Sequence, residues 1–275
     1  MENHPAFPEE SARLRETLKQ VNQSLEDATQ RKQYTDKELQ RLERVGNADN
    51  SQGYIDLMVG QALKEGLVLK LRNLEGAQKK PYFARIDFTE AGKKKPEKLY
   101  IGKLSLTREE DQQPIIIDWR APISNLYYES RLGPASYHCP EGEIGGDLQL
   151  KRQFSIEEGI LERIFDIDIT TNDQFLQSSL GANAADRLKD IVATIQAEQN
   201  RIIRADLEQP LIVQGAAGSG KTTIALHRIA YLIYTYNRSF RPEQFMIIAP
   251  NRLFLNYISE VLPELGVERV KQSTF

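Results

Sequence analysis

The chain has 275 residues, with 36 basic and 39 acidic side chains and a net charge of −3. That near balance excludes whole-molecule attraction to nucleic acid, so any such contact needs a local basic surface. A single cysteine excludes an internal disulfide, three scattered histidines exclude a zinc cluster, and no apolar run approaches a membrane span.

The length suits two domains, or one domain with an extension, and the expectation is a soluble, cytoplasmic protein with no membrane contact. Residues 1–80 read as a charged helical hairpin. Leu14, Leu18, Val21, Leu25 and Ala28 step by four and three, a heptad seam that Lys32 and Thr35 interrupt and Leu39 and Leu42 resume. Gly46–Gly53 is a turn cluster, and Ile55–Leu74 is helical again, with Ile55, Val59, Ala62 and Leu69 expected along its inner side. A first arm of about 35 residues spans roughly 50 Å. It is too long to bury itself in a compact domain, so its tip should project. By residues alone, a coiled-coil spacer or dimerisation element fits equally well.

Residues 81–183 are rich in strand signals. Tyr82–Phe88, Lys98–Leu104, Leu148–Phe154 and Ile160–Ile169 alternate, Pro114–Asp118 is a continuous apolar run, and Ser124–Ser130 reads as extended. Turns are expected at Glu90–Pro96, Gly133-Pro134 and Gly142–Gly146, giving a small antiparallel β module. Asp118-Trp119-Arg120-Ala121-Pro122 holds the one tryptophan; Asp and Arg beside Trp suit a braced corner, and no acid–base pair with a nucleophile accompanies them.

Residues 184–275 carry the strongest chemical signal. Residues 186–205 read as one helix, and Leu211-Ile212-Val213 as a short buried strand. Gly215-Ala216-Ala217-Gly218-Ser219-Gly220-Lys221-Thr222-Thr223 follows, the G-x-x-x-x-G-K-T phosphate loop. Glycines there let backbone N–H groups surround a phosphate, Lys221 is placed for the β- and γ-phosphates, and the Thr222 hydroxyl for Mg²⁺. ATP and Mg²⁺ are the expected cofactors, with Lys221 and Thr222 the catalytic residues. Thr222–Tyr236 follows as a helix, then Phe245–Ala249 as a buried strand and Arg252–Leu262 as a helix. The fold class expected is α/β multidomain: helical hairpin, β module, then the start of a RecA-like parallel sheet.

Gln199 in Ile195-Gln-Ala-Glu-Gln-Asn200, the loop itself, Ile248-Ala-Pro-Asn251 and Gln272-Ser-Thr-Phe275 occur in order. Together they resemble the Q motif, motif I, motif Ia and the start of motif Ib of UvrD/Rep-like superfamily 1 helicases. A glutamine amide can read the N6 and N7 edge of adenine. Pro81–Phe88, Tyr100-Ile-Gly102, Asp118–Ser124, Leu150–Phe154 and Ile191–Gln196 are similar to the HelD-type helicase-like ATPases, which bind RNA polymerase and recycle it. The resemblance implies an arm that enters the polymerase, with Asp49 and Asp56 near its tip, and a monomeric motor working on DNA (single-stranded, or a duplex end). Asn251, Thr274 and Phe275 become candidate nucleic-acid contacts, Phe275 by stacking a base, although core packing is the plainer reading of an isolated Phe. The alternative is a 3′–5′ UvrD-like translocase that unwinds duplex DNA. No hydrophobic run ending in Asp-Glu follows the loop. The expectation is therefore an incomplete first ATPase domain, able to bind ATP weakly but not to hydrolyse it usefully.

Overall fold

The computed structural model describes residues 4–44, 51–167 and 191–275. The chain divides into two compact units, Met1–Phe83 with Leu104–Ile116 and Phe154–Ile164, and Ala84–Lys103 with Ile117–Gln153 and Phe165–Phe275.

In the first unit, helices α1 (Phe7–Arg44) and α2 (Ser51–Lys79) form an antiparallel hairpin. Three cross-helix contacts fix direction and register. Gln78 Nε2 donates to Asn22 Oδ1 (2.7 Å), Lys64 pairs with Asp36 (2.7 Å), and a Cβ on Gly60 would strike Leu39. Lys32, which breaks the heptad seam, also pairs with Asp36 (2.9 Å). These two lysines hold the Asp36 carboxyl below its ordinary pKa. A polar cross-link at one point of an apolar seam favours a single register.

Near the base, Val21, Ala28, Leu74 and Ala77 pack with Leu104, Leu106, Ile115 and Ile116. Arg13 Nη2 donates to the Ile115 carbonyl (3.2 Å), and the Gly159 amide to that of Lys79 (2.8 Å). The expected inner face of α2 is corrected in its first half: Ile55, Val59 and Ala62 point to solvent with Met58 and Leu63, whereas Leu69 is half-buried as expected, with Leu57, Gly60, Leu67 and Leu71, and Leu74 is buried.

The sheet has seven strands: β1 (Ala84–Glu90), β2 (Glu97–Gly102), β3 (Leu106–Thr107), β4 (Pro114–Asp118), β5 (Gly133–Cys139), β6 (Gly142–Glu157) and β7 (Ile160–Asp166). Their order is β3-β4-β2-β1-β6-β5, with β7 also on β6. It is mixed rather than wholly antiparallel, because β2 and β4 run parallel with Ile101 opposite Ile117. In β1, Ala84, Ile86 and Phe88 are buried, and Arg85 on the other face is also buried, gripping Asp87 through Nε (2.6 Å) and Nη2 (2.7 Å).

Three expectations fail in this region. Gly133-Pro134 is not a turn but opens β5, with Gly133 opposite Leu148. The glycines at 142–146 are not a turn but the start of β6, paired with β5 from Gly133 to Cys139. Gly146 is needed because a Cβ there would run into the Thr89 carbonyl oxygen and the Phe88 ring. Gly146→Ala should destabilise the protein by roughly 2 kcal/mol through overpacking, read as a lowered calorimetric melting temperature. Gly145→Ala, with open space around it, is the near-neutral control.

Residues 124–130 are not extended either. Pro122–Ser124 is a 3-10 turn leading into helix α3 (Asn125–Glu129). Tyr127 and Tyr128 are adjacent and both buried, and both hydroxyls donate to neighbouring carbonyls of one segment. A strand would send two consecutive side chains to opposite faces.

The rest of the second unit comprises α4 (Ile191–Thr194), α5 (Ala197–Arg204), α6 (Lys221–Thr235), β8 (Met246–Ala249), α7 (Arg252–Glu264) and β9 (Lys271–Thr274). The one helix expected over 186–205 is broken at Gln196, whose backbone is extended and caps α5; residues 186–190 lie outside those described. Strands β8 and β9 pair in parallel, Met246 with Lys271 through Ala249 with Thr274. Leu226, Ala230, Ile258, Leu262, Val267 and Val270 form the core beneath them. Leu211–Val213 is not a strand, and Ile212 is 92% exposed. The parallel sheet described is two-stranded, so the apolar residues that a central strand would cover, Ile212, Met246 and Ile248, face outward. A RecA-like sheet is therefore not formed by these residues.

Candidate nucleotide-binding site

The loop before α6 is tightly curled. Gly218 and Gly220 lie in the left-handed region (φ 79° and 82°), where a side chain is costly, and Gly220 is the N-cap of α6. A Cβ on Gly215 would come within 2.8 Å of Ser219 Oγ. The Ser219 amide donates to the Ala216 carbonyl (3.3 Å), closing the turn. No protein group accepts from the amides of Gly218, Gly220, Lys221 or Thr222 among the described residues. Those N–H groups cluster at the positive head of a 15-residue helix, the arrangement that suits an anion. Lys221 Nζ folds back over the loop and donates to the carbonyls of Gly215 (2.8 Å) and Ala216 (2.7 Å). Among the described residues the Thr222 hydroxyl has no hydrogen-bond partner, whereas Thr223 bonds the Tyr257 hydroxyl. Glycine cradle, unspent amides, ammonium and hydroxyl make a donor set that fits a triphosphate and its Mg²⁺.

Helix α5 brings Gln199 to the same place. Its Nε2 lies 3.7 Å from the Cβ position of Gly220, and its Oε1 accepts from the Gln196 amide (3.1 Å). The glutamine thus closes its own helix cap while its NH₂ faces the loop. Asn200, the next residue, is fully buried: Nδ2 donates to Asn125 Oδ1 (2.6 Å) and Glu129 Oε1 (3.1 Å).

The Asp118–Pro122 corner packs on the helices that carry the loop. Asp118 holds Arg120 through two oxygens (2.8 and 2.6 Å), and Arg120 reaches the Leu265 carbonyl (3.3 Å) and the face of Tyr234 (4.8 Å). Arg204 Nη2 donates to the Trp119 carbonyl (2.6 Å), while Trp119 meets His227 of α6 edge-on (5.6 Å). His227 Nδ1 donates to the Thr223 carbonyl (2.7 Å), leaving Nε2 buried without a partner.

Burial therefore drives the imidazole pKa down to about 4, with the Lys103 charge adding to the fall and the Thr223 bond opposing it. The folded pKa lies below the unfolded value of 6.5, so His227 favours the fold fully above that pH and loses its contribution as pH falls toward 4. The loss should reach roughly 3 kcal/mol. Urea midpoints at pH 7 and pH 4 should fall further for the parent than for His227→Leu.

Two family comparisons bear on this geometry. Residues 7–179 match the family described as DNA helicase IV HelD, N-terminal domain. The chain belongs to the HelD family. Residues 195–250, which hold Gln199, the curled loop, α6 and β8, match the UvrD/REP helicase N-terminal domain. The likeness to UvrD-type helicases is thus local to the loop-bearing segment, while the HelD match covers the arm and β module. No curated protein matches the chain.

Set against the HelD and UvrD-type matches, the other expected site residues are scattered. Asn251 Oδ1 accepts from the Phe254 amide (2.9 Å) as the N-cap of α7, which commits its side-chain oxygen to the helix. Thr274 sits in β9 opposite Ala249. Phe275 is 97% exposed, so core packing is corrected for that residue. Asp56 lies exposed on α2 and accepts from Gln52 Nε2 (2.9 Å), and Asp49 falls outside the described residues. Sequence reasoning missed Arg204, Arg228 and Asn200, which pin α5. Arg228 Nη1 donates to the carbonyls of Ile202 (3.1 Å) and Ile203 (3.2 Å) at the α5 end. Arginines that follow helical spacing read as solvated charges, and nothing in the sequence marks which will cap a neighbouring helix. Among the described residues no helix is long and apolar enough to cross a membrane, and no cluster of His, Cys, Asp or Glu could hold a metal.

Proposed function

We propose that this chain supplies the nucleotide-gripping part of an ATP-driven, helicase-like motor that binds RNA polymerase through its helical arm and recycles it from nucleic acid. The observation that supports the ATP half is the curled loop at 215–222, where the amides of Gly218, Gly220, Lys221 and Thr222 meet no acceptor among the described residues at the head of α6. Lys221 would exchange its two carbonyl partners for phosphate oxygens, the Thr222 hydroxyl would complete the Mg²⁺ shell, and Gln199 would read adenine. ATP so bound supplies the transferable phosphoryl group. This chain's own residues hold and orient it.

The polymerase half rests on the HelD family match and on the arm. A hairpin of helices this long, with apolar side chains left outward on its α2 face, is built to reach into another molecule rather than to complete its own core. The test is co-sedimentation with RNA polymerase of the parent and of a variant in which a short glycine loop replaces residues 36–64. That variant keeps the packed base of the arm. Polymerase binding should drop at least tenfold (about 1.4 kcal/mol) while ATP affinity is unchanged; equal polymerase binding by the two proteins would refute the arm's role.

The second reading is a DNA translocase, favoured by the UvrD/REP match and by the exposed ring of Phe275, which is free to stack on a base. Loss of single-stranded DNA affinity in Phe275→Ala, with polymerase binding intact, would move the assignment to it.

A further inference from the structure

We propose that the β module sets the base specificity of the nucleotide site, with Asn125, Glu129 and Asn200 acting as positioning residues for Gln199. This rests on the adenine reading of Gln199 made above. Helix α5 has eight residues, about two turns, and a helix that short takes its orientation from what it packs against. On one side it is held by the middle of α6 through Arg228. Tyr231 of α6 also lies against the Arg204 guanidinium (5.0 Å), and the hydrogen bonds that flank Gln199 itself come from residues 119–153.

Those clamps act on both flanks of Gln199. Before it, the carbonyls of α4 accept from the β module: Val192 from the Tyr128 hydroxyl (3.0 Å), and Ala193 from Tyr127 (3.4 Å) and from Gln153 Nε2 (2.9 Å). After it, Asn200 gives both amide protons to Asn125 and Glu129 and takes one from Arg204 Nε (3.0 Å). Arg204 in turn donates to the Trp119 carbonyl. Asn200 is 0% exposed and has no donor left to give, so one rotation of α5 satisfies it and others leave buried polar atoms unmatched.

That rotation also aims Gln199. Neighbouring residues on a helix point about 100° apart, so the angle that seats Asn200 fixes where the Gln199 amide stands. A turn of about 20° would carry a side-chain amide roughly 2 Å sideways. Paired hydrogen bonds to the adenine edge tolerate about 0.5 Å, whereas the phosphates are gripped by the loop and do not depend on α5. The network should therefore govern which base binds and leave the grip on phosphate alone. A purely architectural network would weaken all ligands together.

The experiment measures dissociation constants of the full chain for Mg-ATP, Mg-GTP and Mg-tripolyphosphate by calorimetry. The parent should prefer ATP over GTP. Asn125→Ala should lower the ATP-to-GTP preference about tenfold while tripolyphosphate affinity stays constant. Asn125→Asp keeps an acceptor for Asn200 and should retain the preference. Tyr128→Phe removes one hydroxyl beneath α4 without changing its packing, and should lower the preference about threefold if Asn125→Ala does not fold. Retained preference in Asn125→Ala, where Gln199→Ala abolishes it, overturns the positioning role but leaves Gln199 as the base reader. Equal binding of ATP and GTP by the parent, or a preference that survives Gln199→Ala, overturns both. A parallel fall for all three ligands overturns the proposal in favour of general loosening.

Discussion

Lys221→Ala should abolish ATP binding by at least about a hundredfold, a loss near 2.7 kcal/mol. The ammonium lies over the loop, held by two carbonyls of its own cradle, so its charge already sits above the amides that would meet the phosphates. Moving it to phosphate trades two neutral acceptors for charged ones, and charge-assisted bonds are about twice as strong as neutral ones. In the alanine variant the amides and the helix head remain, but the fixed cation is gone. The effect should appear equally with Mg-tripolyphosphate and should be absent with adenosine, which has no phosphate to hold. Stability should change little, because the lysine is only half-buried and its two bonds lie on the surface. Calorimetric titration of the three ligands reads all of this. Undiminished ATP affinity in Lys221→Ala would remove the loop from the site.

The loop was legible in the sequence because its geometry is local: glycines at fixed offsets force the curl whatever the rest of the chain does. The hairpin was legible for a similar reason, since the α1 seam repeats over five positions. The inner face of α2 was not. Apolar residues surround much of that helix, from Ile55 and Leu57 to Met58 and Val59, and periodicity alone cannot choose between their faces. The choice is made by pairs distant in sequence, Gln78 with Asn22 and Lys64 with Asp36. The same limit applies at Gly142–Gly146, where glycine looks like a turn but answers to the Thr89 carbonyl across the sheet. Leu211–Val213 shows the converse: a strand-like composition becomes a strand only when a neighbour supplies its hydrogen bonds, and β8 pairs with β9 instead. Of the candidate site, the phosphate-side residues stand together around one helix head with Gln199 beside them. The clamps behind Gln199 were hidden because the arginines act on backbone carbonyls and Asn200 on side chains 71 and 75 residues away, and neither kind of contact carries a local sequence signature.

Arg204→Ala should cost the second unit roughly 3–4 kcal/mol, more than any other single side chain of the Asp118–Pro122 contact. Its guanidinium is largely buried, and burial pulls its pKa down from the ordinary arginine value. Instead of a close carboxylate, it is held by the carbonyls of Trp119 (2.6 Å), Arg120 (3.3 Å) and Ala121 (3.4 Å), by Asn200 Oδ1, and by the Tyr231 face at 5.0 Å. Alanine would leave those carbonyls and the asparagine oxygen facing one another in a buried space without a donor. Lysine would not repair the site, because a single ammonium cannot span acceptors arranged for a planar fork. Arg201→Ala is the matched control, since Arg201 is exposed and only 3.8 Å from Glu129, a pair worth at most about 1 kcal/mol. Urea unfolding at pH 7 should therefore show a much lower midpoint for Arg204→Ala and Arg204→Lys than for Arg201→Ala. If Arg204→Ala unfolds at the parent's midpoint, the corner and the loop-bearing helices are not held together through this side chain.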